Sequence, residues 1–421
     1  MEVAPPFPAA SVARLELVPW RALSGVAAAL DAPLSAVLEG AAAERVLDRL
    51  LRARRDLGPE GRRAVAEAVF GVGLWRRRLA HHAGAGAPPR ALLAALLRDL
   101  AGLGDAEGIC GLAPGALPPR APAPRDLARF YSLPDWLAVA VAREAGAEAP
   151  LLADALNVPG PVWLRANRSR VDRRALSERL AREGVRTRPG ALAPDALEVT
   201  SPRPNLLALP SFRDGLFEVQ DEGSQLLGLA VGARPGDEVL DLCAGAGGKA
   251  LLLGAALAGS GAVHACDPDA ARLERLLSRA GRAGVRDLVR VHRSGPPPGL
   301  EVDRALVDAP CSSLGALRRG PDERFRIDPA SFDGYPPLQL ELLGQAASRL
   351  RPGGRLVYAT CTFRSEENEG VAVAFERSHP EYARVAPVDR GELLTARGFL
   401  ALWPHRHRTD GFFAAAWERR S

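Results

Sequence analysis

Apolar residues recur at helical spacing along the first part of the chain. The pattern runs through three stretches between residues 41 and 100, which read AAAERVLDRLLRARR, EGRRAVAEAVFGVGLWRRRL and PPRALLAALLRDL. An apolar residue at every third or fourth position places these side chains on one face of a helix. Residues 1–112 are therefore predicted to form a small helical module.

Proline and glycine then interrupt the helical pattern. The stretch GLAPGALPPRAPAPRD, residues 111–126, is too rich in both for regular structure, so we interpret residues 113–125 as a linker. Beyond it, VWLRAN reads as a strand, DRRALSERLAREG as a helix that ends at a glycine, and ALEVTS as a second strand. Residues 126–215 are expected to form a small α+β subdomain.

Strands and helices alternate in the last part of the chain, residues 216–421. Apolar runs that read EVLDLC, AVHAC, LVRVH, RALVDAPC and RLVYATC are separated mostly by helical patterns. Such alternation predicts an α/β, Rossmann-like fold with a mostly parallel sheet and helices on both faces. The segments FLALWPHRH and DGFFAAAW read as an antiparallel hairpin that closes the sheet.

The composition is that of a folded chain. A length of 421 residues is enough for two or three domains, and 25% charged residues is ordinary for a globular protein. The sequence contains no run of about 18 apolar residues that could span a membrane. Residues 1–10 lack the basic start and apolar core of a secretory signal. We expect a cytoplasmic monomer with no membrane contact.

Charge and cysteine content narrow the class of partner only slightly. A net charge of +5 permits an anionic partner but does not require nucleic acid. The five cysteines are widely spread, without a CxxC pair or a Cys/His cluster at zinc spacing, so we expect free thiols and no metal. The single lysine of the chain, Lys249, lies in a glycine-rich loop.

That loop reads DLCAGAGGKA, residues 241–250, and joins a predicted strand to a predicted helix. Glycines let the backbone approach a ligand closely, and the start of the helix offers unpaired amides. Asp267 ends the next strand about 20 residues later, where an acid binds ribose hydroxyls in such folds. Alternatively, Asp267 or Asp269 caps the following helix. Together the loop and the acid favour an adenosine-containing cofactor without identifying which one.

Two cysteines follow neighbouring strands. Cys311 in VDAPCSSLG and Cys361 in VYATCTFRSEENEG both stand at the carboxyl ends of strands, where open α/β sheets bind ligands. Either cysteine taken by itself is more often a small buried residue. A pair in one crevice suits methylation of cytosine at carbon 5, since one thiolate must add to carbon 6 and a base must later remove the carbon-5 proton. On this hypothesis Asp308 steadies the activated ring and Lys249 favours a thiolate.

With these motifs the chain resembles the RsmB/NSUN family of RNA 5-methylcytosine methyltransferases. The resemblance begins near residue 126 and runs through LRAN, FEVQDEGSQL, DLCAGAGGK, DAPCSSLG, RRGPDERF, GGRLVYATCTFRSEENEG and DGFFAA. It implies that Cys361 is the nucleophile, that Cys311 acts in product release and that S-adenosylmethionine is the cofactor. The cofactor contacts that it implies are Cys243, Ala244, Gly245, Ala246, Gly247, Gly248, Lys249, Asp267 and Asp308.

Upstream, the helical stretches look like part of a NusB-type RNA-binding domain, shortened where the proline-rich segment stands. This favours the bacterial RsmB branch of the family and implies a cytidine of 16S ribosomal RNA as the substrate. Arg318 and Arg319, just after the Cys311 loop, and Arg76 on a predicted helix are candidate contacts to RNA phosphate. For Arg76 the alternative is a solvated helix face.

Two departures from the family pattern concern the cofactor. The loop reads CAGAGGK where the family usually has CAAPGGK, so Ala246 stands in place of a rigid proline. The third strand is followed by Arg293 and Ser294, where the family has an acid near the adenine. The alternatives to an RNA methyltransferase of the ribosome are therefore a catalytically weakened RNA-binding or ribosome-assembly factor, and a cytosine-C5 methyltransferase acting on tRNA or DNA.

Two further groups of polar residues have simpler interpretations. Glu366, Glu367 and Asn368 are predicted to cap the helix that follows Cys361. His405 and His407 are assigned to a basic loop near the C-terminus, where a metal site is the less favoured alternative.

Overall fold

A computed structural model describes residues 10–202 and 204–420. Residues 1–9, to which the expectation about a secretory signal refers, lie outside the described part. The described chain packs into two units, the first running up to Pro159 and including Leu317–Pro329, and the second comprising Gly160–Ala316 and the chain from Ala330 onward. The four-part domain division and the resemblance to a NusB-type module stay predictions.

The first unit is helical, as the periodicity of its sequence predicts. Its longest helix, Pro59–Ala83, starts with a proline in its first turn and ends before Gly84, which has a positive φ of 93°. The proline-rich stretch 111–126 forms neither helix nor strand. The α-helices of this unit are α1 (Ala10–Ala13), α2 (Asp31–Leu38), α3 (Ala43–Ala53), α4 (Pro59–Ala83), α5 (Pro89–Ala95), α6 (Ala106–Ile109), α7 (Leu127–Phe130), α8 (Asp135–Ala145) and α9 (Ala149–Ala155).

The segment Leu317–Pro329, which follows the Cys311 loop in sequence, is held in the first unit by buried polar contacts. The guanidinium group of Arg324 is fully buried. It donates hydrogen bonds to Asn157 Oδ1 and to the carbonyl of Leu156, each with a donor–acceptor distance of 2.7 Å. Asp322 accepts from the backbone amide of Ala43 over 3.0 Å. A buried charge with such partners is costly to remove, so this segment is a structural part of the first unit.

The second unit begins with a small antiparallel sheet of order β2-β3-β1-β4. Leu164 and Ala166 on β1 point to one face, where they pack with Leu176 and Leu180 of α10. The predicted strands VWLRAN and ALEVTS and the helix between them are confirmed. The elements are β1 (Trp163–Ala166), α10 (Arg173–Arg182), β2 (Thr187–Pro189), β3 (Ala196–Val199), α11 (Pro210–Arg213) and β4 (Phe217–Val219).

A larger mixed sheet follows, in the order β10-β12-β9-β8-β5-β6-β7, with β11 paired to β12. Pairing is parallel from β9 to β7 and antiparallel where β12 meets β9, β10 and β11. The elements are α12 (Glu222–Ala230), β5 (Glu238–Asp241), α13 (Gly248–Ala256), β6 (Ala262–Cys266), α14 (Ala270–Ala283), β7 (Val289–His292), β8 (Val302–Asp308), α15 (Tyr335–Ala347), β9 (Leu350–Thr360), α16 (Glu369–Ser378), β10 (Tyr382–Val385), β11 (Leu400–Leu402), α17 (Pro404–His407) and β12 (Phe412–Arg419).

Hydrophobic cores lie on both faces of this sheet. On β5, Val239 packs with α13 and α14 on one face, and Leu240 packs with α15 and α16 on the other. Strands that are buried on both sides read as continuous apolar runs, which is the pattern of the sequence here. The predicted α/β fold and its closing antiparallel hairpin are confirmed. Among the described residues, no helix is both long enough and apolar enough to cross a lipid bilayer.

Candidate active site

The carboxyl ends of β5, β6, β8 and β9 surround a crevice of about 670 Å³. Parallel strands end at the same edge of a sheet, so the loops that follow them converge there. The crevice brings together nearly all of the predicted catalytic and cofactor residues, and Gly247 is the predicted cofactor contact that does not line it. Its lining includes Asp241, Cys243, Ala244, Gly245, Ala246, Gly248, Lys249, Asp267, Asp308, Cys311, Ser313, Tyr335 and Cys361.

The thiols of Cys311 and Cys361 lie against each other in this crevice, with their sulfur atoms 3.4 Å apart. A hydrogen bond from Cys311 lowers the pKa of the Cys361 thiol, and this outweighs the opposing effect of burial. For Cys311, the hydrogen bond to Cys361 and then burial raise the pKa of the thiol well above the usual value. The pair therefore favours Cys361 as the thiolate and Cys311 as the neutral thiol.

Ser313 is a member of the thiol cluster that the sequence did not reveal. Its Oγ lies 3.4 Å from the sulfur of Cys361, and the hydrogen bond between these two groups further lowers the pKa of Cys361. The backbone of Ser313 has a positive φ of 56°, an unfavourable conformation for a residue with a side chain. Strain of this kind is found where a loop must present a group in one orientation.

Lys249 and Asp308 form an ion pair beside the thiols, with Nζ donating to Oδ2 over 2.5 Å. Burial lowers the pKa of Lys249, but the charge of Asp308 and this hydrogen bond outweigh it, so the pKa is raised overall. Lys249 lowers the pKa of Cys361, whereas Asp308 raises it. The effect of Asp308 is the larger of the two, so the expected assistance of Lys249 to the thiolate is cancelled by its own partner.

Glu367, which follows Cys361 in sequence, accepts a hydrogen bond from the loop that carries Cys311. Its carboxylate is fully buried and accepts from the amide of Ser312 over 2.8 Å and from Gln339 Nε2 over 3.1 Å. Arg364 also donates to it, over 3.3 Å. The prediction that Glu367 and Asn368 cap α16 is wrong: Asn368 precedes the helix without a side-chain capping bond and accepts from the hydroxyl of Thr360. These polar groups hold loops together because the loops lack strand partners.

A close backbone approach ties the Cys311 loop to the end of β9 and to the start of β12. The amide of Gly315 donates to the carbonyl of Cys361 over 3.0 Å, and the amide of Gly411 donates to the carbonyl of Gly315 over 2.9 Å. A Cβ atom on Gly315 would lie 2.2 Å from the carbonyl oxygen of Gly411. Glycine is therefore required at Gly315, which lies in DAPCSSLG and meets the DGFFAA motif.

The glycine loop has the geometry of a ligand cradle. Gly247 precedes α13 with a positive φ of 89°, and a Cβ there would lie 2.5 Å from the side chain of Leu276. Asp267 accepts from the amides of Gly245 and Asp269, while Asp269 caps α14 through Ala271 and Arg272. Of the two aspartates considered as caps of this helix, Asp269 is the cap. Asp267 instead binds the backbone of the glycine loop and lines the crevice.

Asp241 is the second functional candidate that the sequence did not reveal. Its carboxylate is 1% exposed, lines the crevice, and has no hydrogen-bond partner for either oxygen among the described residues. Burial, followed by the charge of Asp308, raises its pKa to about 7. A buried carboxylate without a partner costs free energy unless a ligand satisfies it, so Asp241 marks where a cationic or donor group fits.

Replacing Asp241 with Asn is expected to stabilise the cofactor-free protein more at pH 8 than at pH 5. The pKa of Asp241 is raised from 3.8 to about 7 on folding, so its contribution to stability is lost as the pH rises through this window. Three pKa units correspond to about 4 kcal/mol. Thermal unfolding of both proteins at the two pH values measures the difference, and an equal shift at both would contradict it.

The candidate RNA contacts lie in the first unit. Arg76 donates to the carbonyls of Gly73, Val37 and Leu38 and stacks on Phe325 at 4.1 Å, so its guanidinium group is engaged inside the module rather than on a solvated face. Arg318 is buried and Arg319 is exposed. An RNA-binding role for these three residues stays a prediction.

The predicted basic loop around His405 and His407 is in fact a short helix, α17. His407 Nδ1 accepts from the amide of Trp403 over 2.8 Å, and burial lowers the pKa of His407. Among residues 10–202 and 204–420, no group of three or more His, Cys, Asp or Glu side chains is placed to hold a metal ion.

Comparison with known families matches most of the second unit. Residues 229–418 match the model described as 16S rRNA methyltransferase RsmB/F. Residues 133–205 match the model described as a Methyltr_RsmF/B-like, ferredoxin-like domain. The first match covers every strand that bounds the crevice, including β5, β8 and β9.

Curated relatives extend over a larger part of the chain. A probable ribosomal RNA small subunit methyltransferase B of Synechocystis is 32% identical over 300 residues, which is 69% of this chain and 67% of the relative. The putative methyltransferase Rv1407 of Mycobacterium tuberculosis is 39% identical over 342 residues, which is 77% of this chain and 71% of the relative.

Among solved structures, that of PH0851 resembles this protein with a TM-score of 0.75 at 23% sequence identity. The similarity covers 96% of this chain and 99% of the other. It supports the fold of the chain.

Proposed function

The chain belongs to the RsmB/F family of methyltransferases, and from this premise we propose that it transfers a methyl group from S-adenosylmethionine to carbon 5 of a cytosine in 16S ribosomal RNA. The observation that carries the proposal is the pair of thiols 3.4 Å apart in the crevice of the glycine loop. A methyltransferase that modifies an exocyclic nitrogen or a ribose has no use for two thiols.

The crevice suits S-adenosylmethionine by shape and charge. The amides at the start of α13 and the glycine loop offer donors to the carboxylate of the cofactor, and the orphaned Asp241 offers an acceptor to its ammonium group. Asp267, at the end of β6, is the candidate for the ribose hydroxyls. When bound, the cofactor supplies an electrophilic methyl group. Arg272 also lines the crevice and adds a positive charge to the aspartates there.

Attack begins at Cys361. Its lowered pKa favours the thiolate, and addition of its sulfur to carbon 6 breaks the carbon 5–carbon 6 π bond, forms one carbon–sulfur bond and leaves carbon 5 nucleophilic. Asp308, at the end of β8 and paired with Lys249, is the group placed to hold the polar edge of the ring. Tyr335 is also part of the lining.

Release then falls to Cys311. The pKa of this thiol is raised first by its hydrogen bond to Cys361, then by burial, then by the charge of Cys361. Once the sulfur of Cys361 is bonded to carbon 6, the first and third causes disappear, so Cys311 releases its own proton to solvent more readily, and the resulting thiolate can act as the base. It removes the proton from carbon 5, the ring double bond re-forms, and Cys361 leaves as a thiolate.

The substrate part of the proposal is supported by the relatives. The Synechocystis relative is described as a small-subunit ribosomal RNA methyltransferase, and the matching family model as a 16S rRNA methyltransferase. Ribosomal RNA is therefore the first substrate to test, ahead of tRNA and DNA.

The test combines methyl transfer with mapping. 16S RNA from a strain that lacks this gene is incubated with the purified protein and S-adenosylmethionine, and cytosines that resist bisulfite are located by sequencing. We expect one newly protected cytosine with the wild-type protein and none with Cys361→Ala. Protection in tRNA or DNA instead would replace the substrate. If no nucleic acid is methylated and calorimetry detects no S-adenosylmethionine binding, the protein is the RNA-binding factor.

A further inference from the structure

A second cavity, of about 810 Å³, lies in the second unit away from the thiols. It is bounded by the ends of α12 and α13, by the turn before β7 and by the LRAN motif of β1. Ala258 and Gly259 precede β6, and residues 284–288 precede β7, so the cavity opens at the amino ends of these strands. The catalytic crevice lies at their carboxyl ends, and the two cavities share no lining residue.

The lining of this cavity includes a buried arginine, Arg165, whose guanidinium group lacks a hydrogen-bond partner at one nitrogen among the described residues. Arg165 is 5% exposed, and the nitrogen in question is Nη1. Burying a guanidinium donor without an acceptor costs free energy, and burial lowers the pKa of this group to about 10. An anionic oxygen in the cavity would remove that cost.

Protein carboxylates near Arg165 are already engaged. Glu218 lies opposite Arg165 in the β1–β4 pairing, but its carboxylate accepts from Arg279 over 2.9 Å and from Arg282. Asp195 accepts from Arg168 over 2.9 Å. Since other arginines engage Glu218 and Asp195, no hydrogen bond pairs Arg165 with a carboxylate among the described residues, and an anionic group of a ligand can take that place.

The rest of the lining specifies the remainder of the ligand. Leu229, Leu252 and Leu288 add apolar surface to the lining, and Asp287 adds carboxylate oxygens that suit hydroxyl or amino donors. A molecule with an anionic group, an apolar ring and several hydroxyl or amino groups matches this combination. The volume is within the usual range for a site that encloses such a molecule.

We propose that this cavity is a binding site for a nucleoside phosphate, with its phosphate group on Arg165 and its base against the leucine side chains of the lining. The nucleotide is either free in solution or part of an RNA chain, because the recognised chemistry is the same. The site is separate from the proposed methyl transfer and does not depend on it.

Calorimetry on the full chain tests the proposal, with S-adenosylhomocysteine in excess to occupy the cofactor crevice. The first probe is guanosine 5′-monophosphate and the second is a 5′-phosphorylated RNA tetranucleotide. We expect at least a tenfold loss of affinity in Leu229→Trp, which places a larger side chain in the cavity, and in Arg165→Gln, which removes the cation. Leu338→Trp is the matched control, since Leu229 and Leu338 are 38% and 39% exposed and Leu338 lies outside both cavities.

Each outcome of the calorimetry either supports or contradicts the proposed nucleotide site. Binding of the mononucleotide that Leu229→Trp abolishes and Leu338→Trp retains supports a site for free nucleotides. The same dependence for the tetranucleotide without mononucleotide binding supports a site for RNA. The proposal is overturned if neither probe binds, or if Leu229→Trp binds like the wild type. Should Arg165→Gln fold and keep full affinity while Leu229→Trp loses it, the assignment of the phosphate to Arg165 is wrong.

Discussion

Replacing Cys311 with Ala is expected to trap the protein on its RNA as a covalent complex through Cys361. The variant keeps the attacking thiol but lacks the group that removes the carbon-5 proton, so addition proceeds and elimination stalls. Turnover should fall by about 10²-fold or more. Denaturing gel electrophoresis with labelled RNA and S-adenosylmethionine detects the complex as a slowly migrating band, and peptide mapping locates the bond.

The controls separate the two thiols. Cys361→Ala should form no complex, alone or combined with Cys311→Ala, and its rate should fall by at least about 10⁴-fold. Cys110→Ala is the matched cysteine control, because Cys110 is buried in the first unit and is not part of the lining of the crevice. A complex that persists in Cys361→Ala would show that another residue attacks the ring.

Replacing Glu367 with Gln is expected to lower the rate of methyl transfer by about 100-fold while the protein still binds cofactor. The carboxylate accepts from Ser312, Gln339 and Arg364, so an amide of the same shape presents donors to donors and loosens both cysteine loops. A displacement of about 1 Å between reacting groups has an effect of this size on rate. The expected loss of stability is about 3 kcal/mol, since a buried charge pair is broken.

Glu367 is a positioning residue, so its test needs a measurement that follows the thiols. The pH dependence of alkylation of Cys361 by iodoacetamide should move to higher pH in Glu367→Gln, because the hydrogen bond from Cys311 to Cys361 weakens. Glu366→Gln is the matched control, as its neighbouring carboxylate is partly exposed and lies 3.6 Å from Arg364. Loss of stability with an unchanged alkylation profile would reduce Glu367 to a purely structural residue.

The larger sheet and its crevice were predictable from the sequence for a simple reason. Strands buried on both faces must be apolar throughout, and helices between them must carry an apolar stripe, so both patterns are visible in the residues themselves. The rule that ligands bind at the carboxyl ends of parallel strands then placed Cys311, Cys361 and the glycine loop at one edge. The structure confirms the fold and brings these residues into the same crevice.

The residues that the sequence did not reveal depend on long-range neighbours. Asp241 reads as the polar end of a strand, and Ser313 reads as one of two serines in a loop. Glu367 reads as a helix cap, because an acid at that spacing usually is one. What makes each of them functional is burial or a hydrogen bond to a residue tens of positions away, as with Glu367 and Ser312. No local pattern records such a partner.

For the two thiols, too, the sequence determined one part of the site and the tertiary structure determined the other. The sequence by itself determined that both cysteines follow strands of a parallel sheet and so share an edge, since strand ends are set by local apolar patterning. Only the tertiary structure decided their protonation: the sulfur atoms lie 3.4 Å apart, and the pKa of Cys361 falls while that of Cys311 rises. Proton affinity depends on burial, charge and hydrogen bonds in three dimensions, and these come from segments 50 residues apart in the chain.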